Sequence, residues 1–253
     1  MKKIILLCLF LGTLNSCKKE PQLIWEENFD GTTLNEDYWN FEHGNGCPDV
    51  CGWGNNELQF YTEENHAVKD GFLTITAKLE DSVYTSTRIT TAGKFEFQYG
   101  RVEARAKLPI GKGLWPAFWM LGSNIKDVGW PKCGEVDILE YVGKEPGLIY
   151  TSLHTQDSHG NTINSKKTKF ENIEDGFHVY AANWTKDKIE FFVDDQLVYT
   201  FAPENKTEDI WPYNQPFYVI LNLAVGGNFG GPEVDNSVFP QNYIIDYIKV
   251  YSN

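Results

Sequence analysis

The chain has 253 residues, 15% of them aromatic, and a formal net charge of −13. Such an acidic chain is not expected to bind nucleic acid or bare anionic membrane, so a neutral partner is favoured. Its length fits one large all-β domain, and its aromatic content supplies a core with ring faces left over for a ligand that stacks.

The N-terminus predicts an export signal rather than part of the fold. Two lysines precede the apolar stretch Ile4–Leu11, which is too short to span a membrane as a helix. The sequence "LNSC" that ends at Cys17 resembles a bacterial lipobox, in which the signal is cut before the cysteine and the cysteine is acylated. We therefore expect residues 1–16 to be a lipoprotein signal peptide, Cys17 to carry lipid, and residues 17–22 to form a tether. An ordinary signal peptide with an incidental cysteine is the alternative.

This leader predicts where the protein is found. Cleavage before Cys17 removes two of the 22 basic residues and none of the 35 acids, which leaves a net charge of −15. We expect a monomer at the outer membrane or cell surface that touches the membrane only through its lipid. The periplasmic face and secretion are the alternatives.

Three cysteines remain beyond the lipidated Cys17, namely Cys47, Cys51 and Cys133. An oxidising compartment makes a Cys47–Cys51 disulfide plausible, with Cys133 buried and free. No second Cys/His pair with suitable spacing follows, which argues against a zinc site.

From residue 23 onward, short segments rich in β-branched and aromatic residues alternate with turns that contain Gly, Asn or Asp. The clearest strand segments are Phe72–Leu79, Lys94–Leu108, Lys188–Phe201, Phe217–Gly227 and Tyr243–Tyr251. No amphipathic helix of ten or more residues is evident, and there is no βαβ rhythm. The pattern predicts one all-β domain over residues 23–253, an antiparallel β-sandwich whose first and last strands pair.

The segment "GEVDILEYV" places three acids in an otherwise apolar strand. Side chains alternate between the two faces of a strand, so Glu135 and Asp137 share one face and Glu140 would point to the other. One extra residue, a β-bulge near Ile138 or Leu139, would bring Glu140 onto the face of the other two acids. We therefore expect all three acids to line one concave surface.

Three neighbouring carboxylates repel one another, and each raises the pKa of the others. A solvated surface would tolerate them, but the flanking aliphatic residues argue against an open face. Metal binding would call for more oxygen ligands than these three side chains supply. Metal binding stays open, and the catalytic interpretation is a pair of carboxylates that flank a glycosidic bond, where one attacks the anomeric carbon and the other protonates the leaving oxygen.

The motif "GEVDILE" resembles the signature of glycoside hydrolase family 16 in the form that carries the extra residue, as in laminarinases. Further similar segments cover nearly the whole chain from about Leu23: "WGNNELQFYT", "TAGKFEFQYGRVEARAKLPIGKGLWPAFWMLG", "LHT" and "NLAVGGNFGG". The resemblance implies a concanavalin-like jelly roll with a concave substrate cleft. It also implies retaining endo-hydrolysis of β-1,3-glucan, of mixed-linkage β-1,3/1,4-glucan, or of both.

By this resemblance, Glu135 is the nucleophile, Asp137 its helper and Glu140 the general acid/base, with His154 close to Glu140. The resemblance further implies a set of sugar contacts, which comprises the indole platforms Trp115, Trp119 and Trp130 and the polar side chains of Asn55, Asn56, Arg88 and His154. Core filling is the alternative for each tryptophan, and a surface charge on a strand is the alternative for Arg88.

No cofactor is expected for catalysis, but a structural Ca²⁺ is common in the family. Glu27, the carbonyl of Gly71 and Asp246 occupy the matching places near the terminal strands. An outward-facing edge position explains Asp246 nearly as well.

Two other functions compete with the glucanase. A non-catalytic β-glucan-binding module could use the same sandwich. Binding alone, however, would not require three neighbouring acids, which are costly to place in an apolar strand. A family member that acts on agar or carrageenan would be expected to carry a basic cleft, which the acidic charge disfavours. The sequence leaves open the choice between laminarin and mixed-linkage glucan, the number of subsites and transglycosylation.

Overall fold

Two β-sheets pack face to face in the computed structural model, which describes residues 21–252. The predicted signal peptide and lipidated Cys17 lie outside the described residues. Within them, helical structure is limited to single turns, and no helix is long and apolar enough to cross a membrane. The predicted all-β sandwich is confirmed, and its arrangement is that of a jelly roll.

The first sheet has ten strands in the order β16-β15-β14-β9-β18-β5-β6-β3, with β1 paired to β18 and β4 to β5. The pair β3/β6 is parallel and the other pairs are antiparallel. Its strands are β1 (Leu23–Glu27), β3 (Phe60–Tyr61), β4 (His66–Lys69), β5 (Phe72–Glu80), β6 (Val83–Ser86), β9 (Gly100–Lys107), β14 (His178–Trp184), β15 (Ile189–Val193), β16 (Gln196–Phe201) and β18 (Gln241–Tyr251).

The second sheet has eight strands in the order β13-β12-β11-β10-β17-β7-β2, with β8 paired to β17. Its strands are β2 (Asn40–Glu42), β7 (Arg88–Thr90), β8 (Glu96–Phe97), β10 (Leu114–Gly122), β11 (Glu135–Tyr141), β12 (Leu148–His154), β13 (Ser165–Lys169) and β17 (Phe217–Val225). The short helices are α1 (Ile125–Val128), α2 (Gly227–Gly230) and two 3-10 turns (Cys51–Gly54 and Asn236–Val238).

The second sheet has one face in the core and one face outside it. On β10, Phe118 and Met120 belong to the main hydrophobic core, whereas Trp115 and Trp119 lie in separate small clusters. Strand β17 alternates in the same way, with Leu221 in the core and Asn222 outside it. We call the side opposite the core the outer face, and it carries the candidate site.

Several local predictions can be compared with the fold. Strands β1 and β18 pair antiparallel, so the predicted pairing of the chain ends is confirmed. The single segment predicted over 94–108 is wrong, because it divides into β8 in the second sheet and β9 in the first. Tyr99 has a φ of 63°, outside the extended region, and Gly100, the first residue of β9, has a φ of 126°, so the chain turns there to change sheets.

Candidate active site

The bulge expected in β11 is present and brings the three acids together. Asp137 pairs with Ser152 of β12 and Glu140 pairs with Tyr150, so three steps along β11 oppose two steps along β12. The pairing of β11 with β10 also shifts by one residue at this point. Two consecutive residues, Ile138 and Leu139, consequently lie in the main core. The reversed parity beyond them places Glu140 on the outer face with the other two acids.

Glu135 lies at the start of β11 and has two polar neighbours on the outer face. Its Oε2 accepts a hydrogen bond of 2.9 Å from Nε1 of Trp130. Its Oε1 lies 3.7 Å from Nε2 of His154. Both neighbours favour the ionised carboxylate, whereas burial favours the neutral acid.

His154 holds the first two acids together. Its Nδ1 accepts a 3.1 Å hydrogen bond from the backbone N–H of Gly160, so a neutral ring carries its proton on Nε2. That proton faces Oδ2 of Asp137 at 3.2 Å. The ion-pair contacts of His154 are with Asp137 and Glu135, whereas Glu140 lies beyond ion-pair distance, although the histidine still acts electrostatically to lower its pKa. The pairing of Glu135 with His154 across β11 and β12 explains this placement.

Glu140 is nearly closed off from solvent. Its exposed fraction is 9%, and its Oε1 accepts a 3.1 Å hydrogen bond from Nε1 of Trp115, which is 8% exposed. Trp115 packs edge-on against Phe229 at 5.4 Å. Trp115 therefore orients Glu140 and offers little open ring surface for a sugar.

The three carboxyl groups have raised pKa values that differ in degree. Burial, reinforced by the charge of Asp137, raises the pKa of Glu135 to about 7. Burial raises the pKa of Asp137. Burial and the charge of Asp137 together raise the pKa of Glu140 well above its ordinary value. Protons are therefore retained on this strand at neutral pH, and the strong rise at Glu140 favours Glu140 as an acid and Glu135 as a carboxylate.

A metal ion is a poorer fit to this cluster than a proton network. Single ligand atoms of Glu135, Asp137 and His154 lie within 4.8 Å of one another, a spacing that a metal could use. However, a histidine that binds a metal through Nε2 normally donates its other ring N–H to an acceptor. Here Nδ1 of His154 accepts from Gly160 instead, so the proton resides on the nitrogen that faces the acids.

Arg88 lies on the same outer face, on the side of β11 that leads through β10 and β17 to β7. Its guanidinium carbon is 4.5 Å from the ring centre of Trp53 and 4.9 Å from that of Trp119, and it forms an ion pair with Glu42. The flat cation is thus held between two indoles, which favours a fixed orientation. The side chain is 12% exposed, so Arg88 is a largely buried, fixed cation and not a surface charge on a strand.

A hydrogen-bonded network fixes Trp119. Its Nε1 donates to Oδ1 of Asn222 at 2.8 Å, and Nδ2 of Asn222 donates to the hydroxyl of Tyr61 at 3.1 Å. That hydroxyl donates to Oε2 of Glu57 at 3.2 Å, and Nε2 of Gln59 donates to the same oxygen at 2.6 Å. Burial raises the pKa of Glu57, and its hydrogen-bond donors oppose that rise.

Asn55 and Asn56 mainly order the loop beside this network. Nδ2 of Asn55 donates to Oε1 of Glu57 at 3.4 Å, whereas Nδ2 of Asn56 donates to Oδ1 of Asn228 at 2.9 Å. A bridge between Glu57 and Gly226 holds the loop against the end of β17. The loop therefore lies next to Trp53 at the edge of the outer face.

Trp130 is the most open of the three predicted indole platforms. Its exposed fraction is 47%. Its ring lies 6.1 Å from that of His154 and packs edge-on against His159 at 5.3 Å. One ring face therefore remains available directly beside Glu135, to which the indole donates.

The predicted disulfide between Cys47 and Cys51 is present, and Cys133 is free and buried. The disulfide closes the turn that precedes Trp53. The backbone N–H of Gly52 also donates to the carbonyl of Asn45 at 2.8 Å. This small loop thus fixes the backbone position of Trp53, whose indole covers Arg88.

The residues assigned to calcium have protein partners. The carboxylate of Glu27 accepts from the backbone N–H of Phe29 at 3.0 Å and from Nε1 of Trp39 at 3.3 Å. Asp246 forms an ion pair with Arg105. A Cβ atom placed on Gly71 would lie 4.0 Å from Oδ1 of Asp30. A cation could use Asp246 only after Arg105 moved away, because the two positive charges would repel.

The sequence interpretation missed Trp53, Glu57 and Asn222 as parts of the site. Two of them fall inside "WGNNELQFYT" and the third begins "NLAVGGNFGG", segments that had already been noted for their resemblance. Glu57 stands between Asn56 and Leu58 in a largely polar stretch, so the local sequence carries no signal of its burial.

Comparison with known proteins agrees with this geometry. The sequence model described as glycosyl hydrolases family 16 matches residues 54–249. A beta-glucanase of Rhodothermus marinus is 38% identical over 267 residues, which cover 98% of this chain and 91% of that protein. A crystal structure of a laminarinase from Flavobacterium sp. UMI-01 is 68% identical with a TM-score of 0.90, and the match covers 91% of this chain and 100% of that chain.

A longer relative shows how this chain relates to a larger protein. Glucan endo-1,3-beta-glucosidase A1 of Niallia circulans is 39% identical over 262 residues. The match covers 90% of this chain but 37% of that protein. The shared region is thus about a third of the relative and nearly all of this chain.

We predict that Glu57→Gln destabilises the protein. The new amide keeps one oxygen and replaces the other by an NH2 group, so the N–H group of either Gln59 or Asn55 would face hydrogens and lose its acceptor. Such losses cost about 1–3 kcal/mol each, and we expect a decrease of that size in the free energy of unfolding, measured with urea. Glu63→Gln is the matched control, because that carboxylate is 56% exposed and pairs with His43. Equal effects of the two substitutions would contradict the role given to Glu57.

Proposed function

The chain belongs to glycosyl hydrolase family 16, and on that basis we propose that it is an endo-glucanase that cleaves β-1,3-glucan or mixed-linkage β-1,3/1,4-glucan. The observation that carries the proposal is the acid cluster on β11. Two glutamates flank an aspartate on one face, and each glutamate is held by an indole N–H. A sugar-binding protein without catalysis would gain nothing from burying three like charges.

The reaction proceeds by double displacement. The carboxylate of Glu135 attacks the anomeric carbon, the glycosidic carbon–oxygen bond breaks, and Glu140 gives its proton to the leaving oxygen. Glu140, now a carboxylate, then takes a proton from water, and the water oxygen displaces Glu135 from the anomeric carbon. The sugar keeps its β configuration, and both glutamates return to their starting protonation states.

Asp137 and His154 support Glu135 in this cycle. Asp137 lies between the glutamates on the strand, and its Oδ2 lies 3.2 Å from Nε2 of His154. When Glu135 becomes bonded to the sugar, its negative charge disappears. The repulsion between the two groups then ends, and the pKa of Asp137 falls.

The sugar chain is held on the outer face by indole rings. Trp130 offers an open ring beside Glu135, and Trp119 stands between Arg88 and the acid strand. Pyranose rings have apolar C–H faces that pack on indoles, and the Arg88 guanidinium can donate to sugar hydroxyls. This arrangement supports a neutral polysaccharide as the substrate.

We expect wild-type protein to release reducing sugars from laminarin, and we expect Glu135→Ser to abolish that release while laminari-oligosaccharides still bind. The serine cannot form the glycosyl–enzyme ester at a comparable rate, but the indole platforms remain. Barley β-glucan, agarose and carrageenan complete the substrate panel, with products sized by mass spectrometry and binding measured by calorimetry. Unchanged turnover in Glu135→Ser would exclude Glu135 as the nucleophile. Folded wild-type protein that binds laminarin and cleaves no substrate would favour the binding module.

The pH profile of kcat/KM tests the pKa values of the cluster. Ionisation of Glu135 sets the acidic limb near pH 7, and loss of the Glu140 proton sets the alkaline limb. The negative charge of Asp137 raises both pKa values, so Asp137→Asn should lower them. We therefore expect both limbs to move to lower pH in this variant, together with a lower maximal rate. A profile that moves to higher pH, or does not move, would contradict this coupling.

We also propose that the protein is a monomeric lipoprotein of the outer membrane or cell surface, anchored through Cys17. The support is the sequence before Cys17, two lysines and an apolar stretch that ends in "LNSC". Cys17→Ala should move the protein from the membrane fraction to the soluble fraction, with Cys133→Ala as a control that stays membrane-bound. A Cys17→Ala protein that remains with membranes would exclude the lipid anchor.

A structural Ca²⁺ near the terminal strands is a separate proposal, with oxygens of Glu27, Gly71 and Asp246 as ligands. Its support is the resemblance together with the position of Gly71 beside the carboxylate of Asp30. Binding would require Asp246 to exchange Arg105 for the ion. We expect EDTA to lower the melting temperature and added Ca²⁺ to restore it. A melting temperature that is insensitive to both would contradict the proposal.

A further inference from the structure

The outer face of the second sheet continues beyond the acids onto β12 and β13, from which the mechanism uses only His154. The sheet order places β12 and β13 on one side of β11, and β10, β17, β7 and β2 on the other. Arg88 and Trp119 lie on the β10 side. A sugar chain that crosses the acid strand must therefore lie partly over β12 and β13.

Strand pairing shows which side chains of β12 and β13 share the outer face. Tyr150 is the partner of Glu140 across β11 and β12, and Lys167 is in turn the partner of Tyr150 across β12 and β13. In the same way, Ser152 faces Asp137 and is paired with Ser165. Direct partners in a sheet project to the same face, so these residues extend the acid face to the sheet edge.

Tyr150, Lys167, Glu145 and Phe229 form a cluster on this extension, which we call the β13-side patch. The hydroxyl of Tyr150 donates to Oε2 of Glu145 at 2.8 Å, and Lys167 forms an ion pair with the same carboxylate. Nζ of Lys167 also lies 5.2 Å from the ring centre of Tyr150. These contacts hold an aromatic ring, a cation and an anion in fixed relative positions.

The β13-side patch is connected to the general acid through aromatic rings. The ring of Tyr150 packs edge-on against Phe229 at 4.9 Å, and Phe229 packs edge-on against Trp115 at 5.4 Å. Trp115 donates to Glu140. The patch is therefore continuous with the group that protonates the leaving oxygen. The part of the sugar chain that is attached to that oxygen requires a surface of aromatic and polar side chains, which this patch provides.

We propose that the β13-side patch binds the reducing-end glucosyl units of the substrate, which leave with the oxygen that Glu140 protonates. This inference rests on the proposed glucanase function. A glucosyl unit offers an apolar C–H face to the rings of Tyr150 and Phe229, and its hydroxyls can donate to Glu145 and accept from Lys167. Glu145 is ionised at working pH, since Lys167 and Tyr150 lower its pKa.

The same patch selects the acceptor in the second half of the reaction. Once the leaving sugar departs, either water or a new sugar can reach the anomeric carbon. A sugar held on the β13-side patch is positioned for attack with its hydroxyl near Glu140, and transfer then competes with hydrolysis. Weakening the patch should therefore reduce transglycosylation more than hydrolysis.

Two substrates separate binding on this patch from catalysis. Laminarihexaose needs sugar sites on both sides of the acids, whereas nitrophenyl β-laminaribioside places only a nitrophenyl group on the leaving side. We expect Tyr150→Ala and Lys167→Ala each to lower kcat/KM for laminarihexaose about tenfold relative to nitrophenyl laminaribioside, mainly through KM. At high laminaritriose concentration, the ratio of transfer products to hydrolysis products should fall in the same variants.

Lys206→Ala is the matched control. Lys206 also packs over an aromatic ring, at 5.1 Å from that of Trp211, and pairs with an acid, Asp187. It should leave both the substrate ratio and the transfer ratio unchanged. Circular dichroism and melting temperatures establish that each variant is folded, and Tyr150→Phe retains the ring should Tyr150→Ala fail to fold.

The outcomes are distinguishable. An equal loss on both substrates, or no loss on either, would overturn the assignment of the β13-side patch. A change in Lys206→Ala as large as that in Lys167→Ala would also overturn it. Wild-type protein that cleaves neither substrate and also leaves barley β-glucan intact would overturn the glucanase function itself, and this assignment with it.

Discussion

The repulsion and burial of three carboxyl groups on one strand is the constraint on which the rest of the site depends. A regular strand would point Glu140 into the core, where an acid without partners is costly. The bulge turns it outward and sends Ile138 and Leu139 inward together. The same step that protects the core thus concentrates three acids, and their mutual repulsion keeps protons on groups that would otherwise be fully ionised at neutral pH.

The neighbours of the acids give each one a different character. Trp130 and His154 favour the ionised form of Glu135. Glu140 accepts from the indole of Trp115, and burial together with the charge of Asp137 raises its pKa more strongly. Identical side chains are thereby assigned opposite roles by their surroundings. Trp130 has two roles, because it orients the carboxylate of Glu135 and offers an exposed ring on which a sugar would lie.

Much of this arrangement could be predicted from the sequence. The spacing of acids in "GEVDILE" required a bulge for all three to share a face, and the strand-like segments "LIWEENFDG" and "IIDYIKVY" predicted the pairing of the first and last strands. These inferences depend on period-two alternation, which is a local property. The break at Tyr99 was missed because "KFEFQYGRVEARAKL" reads as one alternating run, and the change of sheet depends on which distant strands are available for pairing.

Contacts between distant segments were the least predictable part of the site. His154 meets Asp137 rather than Glu140 because of the register between β11 and β12, which no single segment specifies. The burial of Trp115 depends on Phe229, more than a hundred positions away in the chain. The hydrogen-bond network around Glu57 likewise forms only when the fold brings Tyr61 and Asn222 together. Side-chain networks of this kind follow from tertiary packing and not from local pattern.

The central claim is that Glu135 is the group that becomes bonded to the sugar. Trapping the intermediate tests it most directly: the protein is treated with 2-deoxy-2-fluoro-β-laminaribiosyl fluoride, whose fluoride leaves readily and whose 2-fluoro group slows release of the sugar. Peptide mass mapping then locates the added disaccharide. We expect it on Glu135. A label on Asp137 or Glu140, or no label on protein that still cleaves laminarin, would contradict the mechanism.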